Sequence, residues 1–375
     1  MGNKYLPLRL AALLLFIVIL WNVIGAPRTV AEWQSAPGQV QMAWNQLPVR
    51  AGRILMQWPM AAPSTASGGS TVNKDQITNW VELLNRDAGW MIAVYDTDLG
   101  KTVKMPLEQY VAGVVAAEMP ASYHLEALKA QAAAARTRAV WQAAFLGGTG
   151  CANHPGADIC TDSTHCQSYM SSAKRAEKWG ASALAYEERV CRAVLETKGS
   201  ILTYDGKPIT VLYHAVSGGH TEDVEAVFAQ SLPYLRGVES RGEENTGKYQ
   251  TEQTFTNEKA ASLLNAAFPK AKVSADTLAL ELDVTQKTLT GRAAKVRVGS
   301  VEVTGRELRE ALALNSTLFS ISFTESAVTF AQKGYGHGVG MSQAGANAMA
   351  AAGSSWMDIL THYYTGINIA KLPSL

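Results

Sequence analysis

One glutamate stands where an apolar helix should end. Glu118 lies in the run Ala116–Pro120, and Pro120 must stop the helix that leads to it, because proline lacks the N–H that a helix interior needs. Apolar surroundings raise the pKa of a carboxyl group, since burial disfavours its charged form. A carboxyl that stays protonated near neutral pH can act as a general acid. The alternative is a solvent-facing helical glutamate, which this residue taken alone favours.

Two basic residues follow in an alanine-rich segment. Lys129 and Arg136 are seven residues apart, so they share one face of the helix that this segment predicts. The alanines at Ala132–Ala135 indicate that another element packs closely against the same helix. A basic face beside Glu118 predicts binding of a polar ligand, and an ordinary solvated helix face is the alternative.

Three of the four cysteines cluster with two histidines in one short segment. The five residues are Cys151, His154, Cys160, His165 and Cys166. Thiolates and imidazoles at this density suit a tetrahedral zinc ion. Disulfide bonds are the alternative, because exported cysteines often pair and Cys191 makes their number even. The two histidines favour the metal, since a disulfide gives no reason for imidazoles to converge.

Near the C-terminus, glycine alternates with larger residues between Gly334 and Gly340. Such a loop lets its backbone approach a ligand closely. It lacks the Gly-Lys-Ser/Thr of a phosphate loop and the βαβ context of a dinucleotide site. Within it, His337 is a candidate to hydrogen-bond such a ligand, and a tight structural turn is the alternative, which the residues alone favour. Ser342 is expected to cap a helix that begins at Gln343.

Composition limits the class of protein. Apolar residues make up 47% of the 375 residues and charged residues 17%, which excludes wholesale disorder. Lys and Arg number 33 against 32 Asp and Glu, so the formal charge is only +1. That balance argues against a nucleic-acid partner, which would favour a basic excess. An uncharged polymer such as a glycan remains compatible.

The N-terminus predicts a membrane anchor. An apolar stretch from Leu10 to Ile24 follows Lys4 and Arg9, and these charges would keep the N-terminus cytoplasmic. Length and flanks favour an uncleaved span over a cleaved signal peptide. We therefore expect a stub and anchor at residues 1–25, a flexible tether at 26–75 that is rich in small residues, Pro and Gly, and an extracytoplasmic domain at 76–375.

Beyond the tether, strands and helices are mixed without a regular βαβ rhythm. This pattern predicts an α+β fold, a single large mixed catalytic domain behind the transmembrane helix and tether. Strands are expected at 91–95, 101–105, 201–204, 209–215, 321–330 and within 278–303; helices are expected from Pro106 to Pro120, from an N-cap at Ser122 to about Phe145, and at 257–267, 306–314 and 343–352.

Several segments form an ordered set of motifs. They are Met105–Pro120, Ala127–Ala132 with Arg136-Thr137, Ser217–Glu222 with Pro233–Leu235, and Gly334–Gln343. The set resembles the signature of the stage II sporulation protein D family, membrane-anchored lytic transglycosylases that cut peptidoglycan. The resemblance runs from about Lys101 to the C-terminus, and the predicted anchor and tether agree with it.

The resemblance implies that Glu118 is the single catalytic acid and base. Such an enzyme protonates the glycosidic oxygen and then takes the proton of the sugar's own C6 hydroxyl, which gives a 1,6-anhydro product without a second carboxylate. Other residues expected to bind the glycan are Lys129, Arg136, Ser217, Tyr234, Arg236, His337 and Gln343. Family members often carry lysine at the position of Arg236, and a guanidinium is not equivalent to an ammonium.

The resemblance also implies a structural zinc ion and partners. Some members bind zinc through His, Cys, His and Cys, which correspond here to His154, Cys160, His165 and Cys166. Cys151 would replace one ligand or pair with Cys191. The implied role is cleavage of glycan strands stripped of stem peptides during spore engulfment, at the mother-cell membrane, with a cell-wall amidase and a multi-pass membrane scaffold. The alternatives are a non-catalytic enhancer of such an amidase and a zinc-stabilised envelope protein.

Overall fold

The computed structural model describes residues 80, 82–84, 89–228 and 230–373. The predicted anchor at Leu10–Ile24 and the tether at 26–75 lie outside these residues. Within the described part, no helix is both long enough and apolar enough to cross a membrane. The same residues form the mixed helix and sheet architecture that the sequence predicts.

Short strands and helices alternate along the chain. The strands are β1 Met91–Asp96, β2 Lys101–Pro106, β3 Ile159–Cys160, β4 Ser200–Tyr204, β5 Lys207–Pro208, β6 Tyr213–His214, β7 Gln250–Thr256, β8 Leu282–Lys287, β9 Ala293–Val298, β10 Val301–Thr304, β11 Phe319–Phe323, β12 Ala327–Lys333, β13 Met341–Ser342 and β14 Asn368–Lys371. The helices are α1 Leu107–Glu118, α2 Leu125–Gln142, α3 Ser172–Trp179, α4 Ala183–Glu196, α5 Asn257–Ala267, α6 Leu278–Glu281, α7 Gly305–Ala311, α8 Gln343–Ala351 and α9 Trp356–Tyr363.

The strands build five small sheets rather than one large sheet. Their strand orders are β2-β1-β3, β14-β4-β5, β13-β6, β11-β12-β7 and β10-β9-β8. β1 and β2 form an antiparallel hairpin, and the Asp96 carboxylate accepts hydrogen bonds from the N–H groups of Asp98 and Leu99 to close its turn. β3 then joins β1 in parallel, with Tyr95 opposite Cys160. This pairing brings the cysteine-rich segment beside the hairpin.

Helix α2 lies at the centre of a helical layer. It packs against α1, α4, α8, α9 and β4. Ala132–Ala135 are completely buried, which confirms the close packing that the alanines predict. Close approach is also visible at Gly113 of α1, where a Cβ atom would lie 2.1 Å from Cε2 of Tyr169.

A second apolar core lies between the β7–β12–β11 sheet and the β8–β9–β10 sheet. Leu264 of α5, Leu308 of α7 and the strand residues Val296, Val328 and Phe330 are all completely buried in it. The residues before and after this segment, 89–249 and 334–373, form the layer that carries Glu118.

Several element boundaries differ from the sequence prediction. Helix α2 begins at Leu125 with His124 at the N-cap, and Asn347 Oδ1 accepts the His124 N–H at 2.7 Å, so Ser122 does not cap the helix. The strand expected at 321–330 is two strands, β11 and β12, joined by a turn. Only Tyr213 and His214 of the expected 209–215 strand pair with a neighbour, β13. Helices α3, α4, α6 and α9 lie outside the predicted helices, and α6 replaces the start of the β-rich sequence expected from Leu278.

Candidate active site

The Glu118 carboxyl lies at the C-terminus of α1, where the chain turns into the extended residue Met119. Its Oε1 accepts the backbone N–H of Ser168 at 3.0 Å. The side chains of Ser168 and Gln343 also hydrogen-bond to it. Burial raises the pKa of Glu118, and these hydrogen bonds lower it by less, so the net shift is upward. The raised pKa that its apolar surroundings predict is thus confirmed.

Gln343 reaches Glu118 from the other end of the chain. It is the first residue of α8, and the Ser342 side chain caps this helix by accepting the N–H of Gly345 at 3.2 Å. Its Nε2 donates to Oε1 of Gln131 on α2 at 3.3 Å. The predicted cap at Ser342 is confirmed, and the structure brings Gln343 and Glu118 together.

A buried network of two tyrosines and one glutamine supports the same site. Tyr110 donates to Oε1 of Gln167 at 3.3 Å, and Nε2 of Gln167 donates to the Tyr213 hydroxyl at 2.8 Å. Burial raises the pKa of both tyrosines well above the usual value, and the charge of Glu118 raises that of Tyr213 further. Both hydroxyls are therefore neutral. Sequence reasoning missed Tyr110, Gln167, Ser168 and Tyr213.

His337 stands beside Tyr213. Its Nδ1 accepts the N–H of Val339 at 3.1 Å, and its ring also hydrogen-bonds to the Tyr213 backbone. Burial, together with the nearby guanidinium of Arg309, lowers the pKa of His337 to about 4. Because Nδ1 is an acceptor, the neutral ring carries its proton on Nε2. His337 is thus a neutral polar group beside Tyr213 and not a cation.

The basic face predicted from Lys129 and Arg136 is not open to solvent. Arg136 is completely buried, pairs with Glu108 at 2.6 Å and donates to the backbone oxygens of Val194 and Ser200. Lys129 pairs with Glu126 and Glu196. The expectation of an open basic face is corrected on this point: α2 is enclosed by neighbouring elements, and Lys129 and Arg136 are both matched by protein carboxylates. Glycan binding by these two residues stays a prediction.

The remaining predicted contacts also have partners within the protein. Ser217 is buried and donates to Oε2 of Glu243 at 2.8 Å. The Tyr234 hydroxyl accepts the N–H of Thr210 at 3.2 Å, and Arg236 pairs with Glu225. None of the hydrogen bonds found in the described residues joins Ser217, Tyr234 or Arg236 to Glu118.

Glu243 is a second glutamate that sequence reasoning missed. It is completely buried and accepts hydrogen bonds from the N–H groups of Ser217 and Gly218 and from the hydroxyls of Ser217, Ser240 and Ser342. These bonds tie the Ser217–Glu222 motif to the N-terminus of α8. Glu243 therefore fixes the helix end that presents Gln343 to Glu118.

The cysteine-rich segment forms a compact cluster of potential metal ligands. Its members are Cys151, Cys160, His165 and Cys166, whose donor atoms all lie within 4.8 Å of one another. The three Sγ atoms are 3.6, 3.4 and 3.2 Å from Nδ1 of His165, in the order of the chain. Three thiols and one imidazole fit a closed tetrahedral zinc site.

This ligand set differs from the predicted one by one residue. The His154 ring stacks on Tyr95 with the ring centroids 3.6 Å apart, and Cys151 takes the fourth place in the cluster. All four cysteines are free thiols, and Cys191 faces Glu187 on α4, so a pair between Cys151 and Cys191 is absent. Because the His154 ring is held against Tyr95 of β1, Cys151 and not His154 is the fourth member of the cluster.

The cluster is continuous with the acid site. Cys166 is followed directly by Gln167 and Ser168, which contact Tyr213 and Glu118 respectively. Nε2 of Gln142 donates to Sγ of Cys166 at 3.2 Å and holds the cluster against α2. A metal at the cluster would thus fix the backbone that donates to Glu118.

Comparison with known proteins agrees with this site. A family model described as stage II sporulation protein matches residues 95–204, which include Glu118, the cluster and Ser168. Stage II sporulation protein D of Bacillus subtilis (strain 168) is 37% identical over 280 residues, 75% of this chain and 79% of that protein. Its counterpart from Bacillus amyloliquefaciens is 35% identical over 331 residues, 86% of this chain and 93% of that protein.

A more distant relative has a different name. A Bacillus subtilis (strain 168) protein named amidase enhancer is 28% identical over 306 residues, 69% of this chain and 40% of that protein. The two relatives at 35% and 37% identity cover most of both chains. The chain belongs to the stage II sporulation protein D family and shares that family's role in sporulation.

Proposed function

We propose that this protein is a membrane-anchored lytic transglycosylase that cleaves peptidoglycan glycan strands during spore engulfment, with Glu118 as its single general acid and base. The observation that carries the proposal is the half-buried Glu118 carboxyl, whose pKa is raised by desolvation. A carboxyl that keeps its proton near neutral pH can donate it to the glycosidic oxygen. The relatives' names support the sporulation role.

The proposed reaction uses one carboxyl twice. The Glu118 carboxylic acid protonates the glycosidic oxygen after a muramic acid residue, and the C1–O bond breaks to leave an oxocarbenium-like centre. The resulting carboxylate takes the proton from the C6 hydroxyl of the same sugar, and that oxygen attacks C1. The product is a 1,6-anhydro sugar, and Glu118 regains its proton. The groups that hydrogen-bond to Glu118, Ser168 and Gln343, are not carboxylates, which agrees with a single-acid mechanism.

The neighbouring residues position the acid. Ser168 and Gln343 hold the carboxylate by hydrogen bonds, and the neutral Tyr213, held by Gln167, lies within reach of its charge. Cys151, Cys160, His165 and Cys166 would hold a zinc ion. With four protein ligands that ion would be structural, because no position remains for a substrate.

The proposal extends to location and partners. An anchor at Leu10–Ile24 would place the catalytic domain on the extracytoplasmic side of the mother-cell membrane. A cell-wall amidase would supply strands stripped of stem peptides, and a multi-pass membrane scaffold would hold the enzymes together. The second candidate is a non-catalytic enhancer of that amidase, which the similarity to the amidase enhancer favours.

The two candidates separate in one experiment. The full-length chain in detergent is incubated with stripped glycan strands, and the products are analysed by mass spectrometry. Wild type should release 1,6-anhydro fragments, Glu118→Gln should release none, and Glu188→Gln, which removes an exposed carboxylate of α4, should behave as wild type. If all three chains are inert and an added amidase is stimulated, the enhancer function stands and the enzyme does not.

A further inference from the structure

An exposed aromatic patch lies where strand β1 begins. Trp90 directly precedes β1, and its ring stacks on that of Phe145, in the turn after α2, with 5.8 Å between the ring centroids. Met91, Phe145 and the nearby Trp141, at the end of α2, are 43%, 52% and 38% exposed. Several large apolar side chains left exposed in one region indicate a contact with something other than water.

A shallow groove runs through this aromatic patch, between β1 and the end of α2. Every described residue that lines it is apolar, including Trp90, Met91 and Phe145. Its volume is about 10 Å³, which is the space of about one water molecule. A sugar ring or another small ligand does not fit into this space, so the patch can act only as a contact surface.

Hydrogen bonds fix the two halves of the aromatic patch relative to each other. The buried Asp158 carboxylate accepts the N–H of Ala93 on β1 through one oxygen and that of Ala144, next to Phe145, through the other, each at 2.9 Å. Nε1 of Trp90 donates to the backbone oxygen of Pro373 at 3.1 Å. The patch is therefore preformed.

Two cations lie beside the aromatic patch. Lys104 is exposed on β2 opposite Ala93 of β1, so its side chain lies on the same face of the hairpin as Met91. The Arg138 guanidinium lies 5.5 Å from the centroid of the Trp141 ring. Among the described residues, no ion pair joins Lys104 or Arg138 to a carboxylate. Their charges are therefore available to an anionic partner.

This combination fits the surface of an anionic lipid bilayer. Aromatic rings favour the level of the lipid headgroups, and lysine and arginine attract anionic headgroups. A stable protein interface buries about 800 Å² on each partner, from about 20–30 residues. The exposed apolar side chains of the patch are too few for such an interface, whereas an interfacial contact with lipid needs only a few.

The order of the chain also favours a bilayer as the partner. The predicted anchor at Leu10–Ile24 and the tether at 26–75 precede Trp90, so the chain enters β1 through the patch. A flexible tether of that length would let the domain move about 40 Å from the anchor. Contact between the patch and the bilayer would remove this freedom.

We propose that the aromatic patch docks the domain onto the anionic surface of the membrane. This inference rests on the membrane location within the proposed function. Docking confines the enzyme to glycan strands next to the bilayer. Because Lys104 and Arg138 contribute through charge, the docked state weakens as salt screens them.

The test identifies what covers the patch. The full-length chain is reconstituted in vesicles of phosphatidylglycerol and phosphatidylcholine with the photoreactive substitution Phe145→p-benzoylphenylalanine. After irradiation, mass spectrometry identifies the cross-linked molecule. The matched control is Leu289→p-benzoylphenylalanine, because Leu289 is fully exposed on the turn between β8 and β9. Trp141→p-benzoylphenylalanine is a second probe of the patch should the first variant not fold.

Lipid adducts should form at position 145 and exceed those at position 289. Lys104→Gln should reduce the lipid adduct at position 145 by about fivefold, because a cation near an anionic surface contributes about that factor to binding. Lys287→Gln, which removes an exposed cation of β8, should leave the adduct unchanged. Vesicles of phosphatidylcholine alone should also give less adduct.

Three results would overturn the docking surface. They are equal lipid adducts at positions 145 and 289, adducts of position 145 to residues 26–75, and adducts to a second copy of the chain. In the last two cases protein would cover the patch instead of lipid.

An alkaline carbonate wash separates this inference from the proposed location. If the chain resists the wash while positions 145 and 289 give equal adducts, the docking surface fails and the anchor stands. If the chain washes off while position 145 gives the expected lipid adducts before the wash, the docking surface stands and the anchor fails.

Discussion

Replacing Gln343 with methionine tests the proposed balance of forces on the catalytic acid. Burial raises the pKa of Glu118, while hydrogen bonds from Ser168 and Gln343 lower it. Methionine has a similar length but no donor, so Gln343→Met removes a bond that stabilises only the charged carboxylate. A hydrogen bond to a charged group contributes about 1.5–3 kcal/mol, and one pKa unit corresponds to about 1.4 kcal/mol. We expect the pKa of Glu118 to rise by about one to two units.

The sign of the kinetic effect follows from the acid role. A general acid works only while protonated, so activity falls as pH rises through its pKa. A higher pKa in Gln343→Met therefore moves the alkaline limb of the profile of kcat/KM against pH to higher pH. Ser168→Ala is the companion variant: it loses the hydroxyl but keeps the backbone N–H that lies 3.0 Å from Oε1. Its shift should be in the same direction and at least as large, because the Ser168 hydroxyl lowers the pKa of Glu118 by no less than the Gln343 amide does.

The assay is release of 1,6-anhydro fragments from stripped strands across a pH series, with circular dichroism to confirm folding. Gln343→Met also leaves Oε1 of Gln131 without its donor, so some loss of stability is expected apart from the pKa effect. An alkaline limb that stays in place or moves to lower pH would refute the reasoning, because the Gln343 amide would then not stabilise the Glu118 carboxylate.

Three further predictions concern stability and metal content. The pKa of Glu118 is raised above its usual value of 4.5, so the folded protein loses stability as pH rises from 4.5 through the raised pKa. In urea unfolding at pH 7, Glu118→Gln should therefore be more stable than wild type. Cys151→Ser should lower the zinc content measured by atomic emission, whereas His154→Phe should retain it; the reverse result would restore His154 as the ligand. Arg136→Met should destabilise the fold by about 3–5 kcal/mol, because it leaves Glu108 buried and unpaired. Adding Glu108→Gln should recover part of that loss. If Arg136→Met unfolds like wild type but binds glycan weakly, Arg136 contacts the substrate instead.

Local signals explain the correct part of the sequence prediction. Pro106 and Pro120 bound helix α1, Ser342 caps α8, and alternating residues define the β1–β2 hairpin. Each signal acts within a few residues, so one sequence is enough to read it. The prediction of a raised pKa for Glu118 also depends on its neighbours in sequence, and the partial burial of its side chain agrees with that prediction.

The errors arise from contacts between distant segments. Lys129 and Arg136 look like an open basic face until Glu108 and Glu196, remote in sequence, are seen to pair with them. The choice between His154 and Cys151 depends on a stack with Tyr95 of β1, which no local pattern signals. Tertiary partners of this kind are invisible to periodicity and spacing.

Two separate sets of contacts hold the residues that hydrogen-bond to Glu118. Ser168 is fixed from the cluster side, since it follows Cys166 by two positions, and Gln343 is fixed from the helix side, since Ser342 is bound by the buried Glu243. Both donors meet one carboxylate, and they lower its pKa while burial raises it. A general acid that must also become a base within one cycle needs both influences, because desolvation favours the acid form and the donors stabilise the carboxylate that follows. The cysteine-rich segment, through Ser168, and the C-terminal motif, through Gln343, thus both influence the pKa of Glu118.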